Sequence, residues 1–156
     1  MSERTITHST FTIERTYDAP PARVFAAWSD PEIKRRWFSG SAEASPGHEL
    51  DFRVDGREVN RGGPADGPVY TYEARYRDIV PDERIVYTYD MYVEETRMSV
   101  SVATVELAPV GEQTKLTFIE QGAFLDGLDT AEQREHGTRE LLKKLDATLQ
   151  KELSNR

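Results

Sequence analysis

Between Tyr70 and Glu120 the sequence alternates apolar and polar residues almost without a break. A two-residue period of that length constrains the chain to an antiparallel sheet with one dry face and one wet face. In YTYEARYR, Tyr70, Tyr72, Ala74 and Tyr76 oppose Thr71, Glu73, Arg75 and Arg77. In RIVYTYDM, Ile85, Tyr87, Tyr89 and Met91 share a face. RMSVSVATVEL begins in one apolar phase at Met98, Val100 and Val102, then changes to Ala103, Val105 and Leu107. A phase change inside one strand predicts a β-bulge. TKLTFIE places Leu116, Phe118 and Glu120 together. Pro81-Asp82 and Val110-Gly111-Glu112 punctuate these runs as turns.

Two more strands precede this block. TFTIERTY puts Phe11, Ile13, Arg15 and Tyr17 on one side. HELDFRV puts Leu50, Phe52 and Val54 on one side and closes on Asp55-Gly56, a tight-turn pair. RGGPADGPV, Arg61 to Val69, reads as a longer surface loop.

The period changes to helical in two places. Pro20-Pro21 suits a helix start, because a missing N–H costs little there, and Val24, Phe25 and Trp28 follow on one side. Asp30-Pro31 starts a second short helix, with Ile33 and Trp37 on one face. Lys34, Arg35 and Arg36 on that helix read as a solvated face. Near the end, Leu141, Leu142, Leu145, Leu149 and Leu153 form the apolar stripe of a long helix. Its start is signalled by Thr130 with Gln133, or by Asp129 with Glu132, as a capping box. Glu135/Arg139 and Glu140/Lys144 are spaced as wet-face ion pairs. Gly137 interrupts this helix at a cost of about 1 kcal/mol against alanine, which a close packing contact or a space left for a ligand would offset.

A chain of 156 residues with neither repeat nor linker is one domain over 1–156. It contains no cysteine, hence no disulfide framework and no thiol nucleophile. The formal charge of −8 argues against a nucleic-acid partner. No run reaches the roughly 20 apolar residues of a membrane span, and no apolar leader opens the chain, so a soluble cytoplasmic protein is expected. His8, His48 and His136 lack metal-site spacing, and no metal or other cofactor is implied. Neither G-x-S-x-G nor a phosphate-binding glycine loop is present.

The order strand, two short helices, antiparallel strands, long helix resembles the α+β helix-grip fold of the START and Bet v-like superfamily (SRPBCC), which includes polyketide-cyclase-like proteins. Within it the chain is similar to the single-domain bacterial form of the heat-shock-protein-90 ATPase activator homologue family. The matching segments are IERTYDAPPARVFAAWSDPEIKRRWF (Ile13 to Phe38), YEARYRDIVPDERIVYTY (Tyr72 to Tyr89), SVATVEL (Ser101 to Leu107), TKLTFIEQGAF (Thr114 to Phe124) and REHGTRELLKKL (Arg134 to Leu145). Many relatives carry Gly-Trp where Gly137-Thr138 stands, a departure expected to enlarge or rewet the space under the long helix.

The resemblance implies a curved antiparallel sheet wrapped around the C-terminal helix, two short helices after strand 1 closing one end, and a cavity between sheet and helix. Trp28 is then expected in the core, and Trp37 and Phe38 at the cavity. The sheet would contribute Phe52, Tyr72, Tyr87, Tyr89, Val100, Phe118 and Glu120, and the long helix Gly137 and Leu141. Arg15 and Glu120 both occupy the apolar phase of their strands; in this topology those strands are neighbours, which predicts a pair on the concave face. Phe124, Leu125 and Leu128, flanked by Gly122 and Gly127, read as a loop that either covers the cavity as a lid or staples itself to the sheet.

Three functions fit. The first is a carrier or sensor of a small apolar or aromatic ligand. The second is a cyclase- or aromatase-like enzyme, with Glu120 or a tyrosine as acid or base. The third is a protein-binding module acting on a chaperone. A monomer or weak homodimer is expected. A filled interior would favour the third; a cavity of several hundred Å³, the first two; a carboxylate–tyrosine pair facing that cavity, the enzyme.

Overall fold

The computed structural model describes residues 4–38 and 47–154, with only the backbone for 152–154, so the side chain of Leu153 lies outside the described part. Seven strands form one curved antiparallel sheet: β1 (Ile6–Tyr17), β2 (Glu49–Leu50), β3 (Arg57–Gly62), β4 (Tyr70–Val80), β5 (Arg84–Val93), β6 (Thr96–Val110) and β7 (Gln113–Leu125). Their order is β1-β7-β6-β5-β4-β3-β2. The first strand therefore pairs with the last, and the rest is a meander of short turns. Asp82 (φ 66) and Gly111 (φ 62) take the left-handed conformation that the tight turns β4–β5 and β6–β7 require.

Helices α1 (Pro21–Ser29) and α2 (Pro31–Phe38) follow β1, and α3 (Ala131–Ser154) closes the chain. The Asp30 side chain caps α2 through the Glu32 N–H at 2.9 Å. Thr130 caps α3 through the Gln133 N–H at 3.1 Å, which decides between the two capping registers. Helix α3 packs on α2, α1 and β1. The Tyr17 hydroxyl donates to the Leu142 carbonyl at 2.9 Å and pins β1 to α3. Leu142, Leu145 and Leu149 bury the predicted stripe against Ile13, Tyr17, Val24 and Leu116. Each such side chain contributes about 1.5–3 kcal/mol by leaving water. On the wet face Glu135 meets Arg139, whereas Glu140 is met by Lys143 rather than Lys144.

The structure corrects four expectations. First, the bulge in β6 lies at Met98, where pairing with β5 steps from Met91↔Ser99 to Tyr92↔Arg97. Beyond it the inward residues are Ser99, Ser101, Ala103, Val105 and Leu107, while Val100 and Val102 point out at 41 % and 40 % exposure. Second, Asp51 to Gly56 is turn rather than strand, and Phe52 packs edge-on against Phe25 and Tyr76. The strand that follows, β3, carries Glu58 and Asn60 and has no apolar alternation to announce it.

Third, Glu120 to Leu125 continues β7 instead of forming a loop: Phe124 pairs with Thr7 on one side and Ser99 on the other. Up to Phe124 this backbone is paired on both sides, and only Asp126 to Asp129 forms a turn before α3. Fourth, Lys34 is fully buried rather than solvated.

Candidate functional site

A cavity of about 290 Å³ lies between the sheet and α3. Its floor is aromatic because the inward phase of β4, β5 and β7 supplies Tyr72, Tyr87, Tyr89 and Phe118. Trp28, Trp37 and Phe38 from the short helices form one side, and Leu141 and Leu142 the roof. The rings interlock: Trp28–Trp37 at 4.8 Å, Phe38–Tyr72 at 4.9 Å and Tyr72–Tyr89 at 4.9 Å between centroids. Gln133 and Gly137 border the cavity and are exposed, so it opens along this edge of α3. A Cβ on Gly137 would meet no atom within 4 Å. Of the two explanations for this glycine, close packing is excluded and open space remains.

Among the described residues, two buried polar atoms of these wall residues make no hydrogen bond, Trp28 Nε1 and Asn60 Oδ1, while the Tyr72 hydroxyl interacts with Tyr87. An unmet buried donor or acceptor costs about 1–3 kcal/mol, so each is a place where a guest could gain. Burial pushes the Tyr72, Tyr87 and Tyr89 hydroxyls up from their ordinary range. All three stay protonated at neutral pH.

One end of the cavity is ionic. Glu120 projects from β7, and the Tyr89 hydroxyl donates to it, 2.8 Å from each carboxylate oxygen. Arg134, one turn into α3, reaches Glu120 Oε2 at 3.3 Å and Asp129 Oδ2 at 2.9 Å. It also donates to the Tyr89 hydroxyl at 2.9 Å and the Ser99 hydroxyl at 2.8 Å. The inward serines of β6 thus have a use, which explains why an apolar phase gives way there. The guanidinium lies over the rings of Tyr89 (5.5 Å) and Phe124 (5.2 Å). Burial raises the Glu120 pKa above the ordinary carboxylate value, and Arg134, Tyr89 and Ser101 offset this only in part.

A second ionic cluster sits behind the aromatic side wall. Lys34 Nζ meets Glu58 Oε1 at 2.6 Å and Tyr76 Oη at 3.1 Å. The Tyr76 hydroxyl donates to Glu58 Oε1 at 2.7 Å, and His48 Nε2 lies 2.8 Å from Oε2. The ammonium is 4.4 Å from the Phe38 ring centroid. Burial pushes Lys34 down against the pull of Glu58. For Glu58 burial pushes up, but Lys34, His48 and Tyr76 together hold it below the ordinary value.

The predicted site residues divide accordingly. Trp37, Phe38, Tyr72, Tyr87, Tyr89, Phe118, Glu120, Gly137 and Leu141 border the cavity. Trp28, expected in the core, is buried there and also touches the cavity. Phe52, Val100, Phe124, Leu125 and Leu128 do not reach it; Phe124 is packed beneath Arg134, and Leu128 faces solvent.

Arg15 and Glu120 are not a pair. In the β1–β7 register Arg15 stands opposite Leu116 and Glu120 opposite Phe11, four residues apart along each strand. Arg15 reaches Asp146 at 4.0 Å, and Glu120 has Arg134. Arg134, Asp129, Ser99, Asn60, Lys34 and Glu58 were missed. Arg134 was findable, since 134 and 138 extend the buried stripe of 142, 145 and 149 by about two turns toward the start of the helix.

Comparisons with known proteins agree on the architecture. A family model described as Activator of Hsp90 ATPase homolog 1-like protein matches residues 18–150. A solved protein from Rhizobium leguminosarum is 43% identical, with a TM-score of 0.92 over 96% of this chain and 99% of its own. One from Rhizobium loti is 49% identical, with a TM-score of 0.88 over 92% and 99%. One from Chromobacterium violaceum is 27% identical, with a TM-score of 0.74 over 90% and 96%. No curated protein matches.

Proposed function

The chain belongs to the family of Activator of Hsp90 ATPase homolog 1-like proteins, and from that premise we propose that it binds a small aromatic molecule in the cavity between its sheet and α3. One observation carries this reading: a cavity of about 290 Å³, walled by rings, two of whose wall residues keep buried polar atoms, Trp28 Nε1 and Asn60 Oδ1, without partners. Small-molecule sites are apolar hollows with a few convergent polar groups, commonly upwards of about 300 Å³, so a guest of one or two rings fits. A module that works only through its surface has no need of such a space, which weighs against the chaperone-binding alternative.

Binding needs no moving part among the described residues. The rings hold one another edge to face, so the walls are preorganised and a guest has little to order. The guest's face lies on Tyr72 and Tyr89, and its edge meets the unpaired donors and acceptors.

Native mass spectrometry of protein purified from its own host, against a denatured control, tests the reading. A co-purifying molecule at fixed stoichiometry is the expected result. Calorimetric titration with naphthol, a neutral aromatic probe, should show binding by the natural chain and at least tenfold weaker binding by Gly137→Leu, whose side chain enters the open space. Equal affinity for both would overturn the assignment.

One specific observation favours catalysis in the same cavity. The Tyr89 hydroxyl and the Glu120 carboxylate are hydrogen-bonded at 2.8 Å, and both residues line the cavity. Such a pair can give and take a proton. A change in mass of the bound molecule on incubation, lost in Glu120→Gln, would move the function to this reading.

A further inference from the structure

The ionic end of the cavity has an uneven charge. Its tyrosines stay neutral, and its acidic and basic lining residues are Glu120, Asp129 and Arg134: two carboxylates and one guanidinium. Behind the side wall Lys34 and Glu58 cancel each other at 2.6 Å, with His48 beyond Glu58. Arg15 and Asp146 pair elsewhere on α3 and do not line the cavity. Among the described residues the cavity therefore faces one uncompensated negative charge when Glu120 is ionised.

The hydrogen-bonding capacity is uneven in the same direction. Both terminal nitrogens of Arg134 are engaged, Nη1 with Tyr89, Ser101 and Glu120, and Nη2 with Ser99 and Asp129. An anionic guest would have to displace those acceptors to reach the guanidinium. Glu120 receives donors from Tyr89, Arg134 and Ser101. Two of these contacts come from one shared Tyr89 proton and the Arg134 contact is long at 3.3 Å, so charge-assisted bonding to Glu120 is weak. The aromatic faces of the floor and side wall also attract cations and repel anions. The walls also hold Trp28 Nε1 and Asn60 Oδ1, both buried and without a hydrogen-bond partner.

Building on the aromatic-ligand reading, we propose that the guest is a small aromatic amine, bound as its ammonium ion with the nitrogen at Glu120 and Asp129 and the ring among Phe38, Tyr72 and Tyr89. The ammonium supplies the second positive charge that the two carboxylates lack. It leaves Arg134 in place and turns the cost of keeping Glu120 ionised into binding. A carboxylate on the same ring would meet two like charges and a guanidinium whose terminal nitrogens are already engaged.

The test is calorimetric titration at neutral pH with three probes of one ring and different charge: phenethylamine, phenethyl alcohol and phenylacetate. The amine should bind on the order of tenfold tighter than the alcohol, and the acid on the order of tenfold weaker. Glu120→Gln should bring the amine-to-alcohol ratio close to one. Asp129→Asn, nearer the surface and less able to disturb folding, should lower the ratio by a smaller factor. Thermal melts check that each variant is folded.

Alcohol binding with no preference for the amine, or a preference that survives both substitutions, overturns the inference and leaves the aromatic-ligand reading standing. Acid binding as tight as the amine overturns it too. If none of the three binds, the cavity reading falls, and this inference with it.

Discussion

Two buried carboxylates in this molecule have opposite characters. Glu58 is surrounded: Lys34, Tyr76 and His48 all lie within 2.8 Å of its oxygens, and its pKa is held below the ordinary value. Glu120 has one tyrosine at 2.8 Å and a guanidinium at 3.3 Å that it shares with Asp129, and its pKa is raised. The first cluster engages both oxygens of Glu58 and joins α2 to β3. The second is incomplete and faces a cavity. A buried charge whose partners suffice is a structural joint; one whose partners fall short marks where another molecule is expected.

The largest expected effect breaks the Glu58 cluster. Lys34→Met leaves Glu58 buried with no lysine and only Tyr76 and His48 beside it, and should cost about 3–5 kcal/mol in chemical denaturation. Replacing both partners, Lys34→Met with Glu58→Leu, should recover most of that loss. A single substitution as mild as the double one would show that Lys34 and Glu58 are not coupled.

Next come the pH profiles, whose signs differ. Glu58 titrates in the folded protein below its ordinary value of 4.5. Its stabilisation is complete above that value and is lost as pH falls through the folded pKa. Glu120 titrates above 4.5, so the folded protein gains a proton before the unfolded chain does. Its contribution is fully present below 4.5 and is lost as pH rises through the folded pKa. Urea denaturation against pH should therefore show Glu58→Gln removing an acid-sensitive contribution and Glu120→Gln removing one of the opposite slope. Two difference curves of the same sign would dissolve the contrast between the clusters.

Smaller effects sharpen it. Ser99→Ala removes one acceptor from Arg134 and should lower stability by about 1 kcal/mol, measured by denaturant midpoint. Gly137→Ala adds a methyl where nothing lies within 4 Å and should raise stability by up to about 1 kcal/mol. A loss instead would mean that the helix needs a conformation there that only glycine takes up.

Much of this was legible from the residues, and the failures share a cause. Alternation located β4, β5 and the inward tyrosines, and the leucine period located α3, because those faces bury hydrocarbon. The reading failed where a buried face is polar. Ser99 and Ser101 face inward to bond Arg134, so the apolar residues Val100 and Val102 gave the wrong phase. Glu58 and Asn60 hid β3 in the same way, and Lys34 passed for a solvated charge because its partner lies 24 residues away. Arg15 and Glu120 were rightly noticed as inward charges. Pairing them failed because register, which periodicity does not fix, sets them four residues apart.

The strands that floor the cavity are each held by neighbours on both sides, so a new side chain there must suit the whole meander. Position 137 answers to no neighbour within 4 Å. The size of guest that such a protein accepts can therefore change through a single codon in α3, in a lineage whose sheet stays the same and whose stability does not suffer.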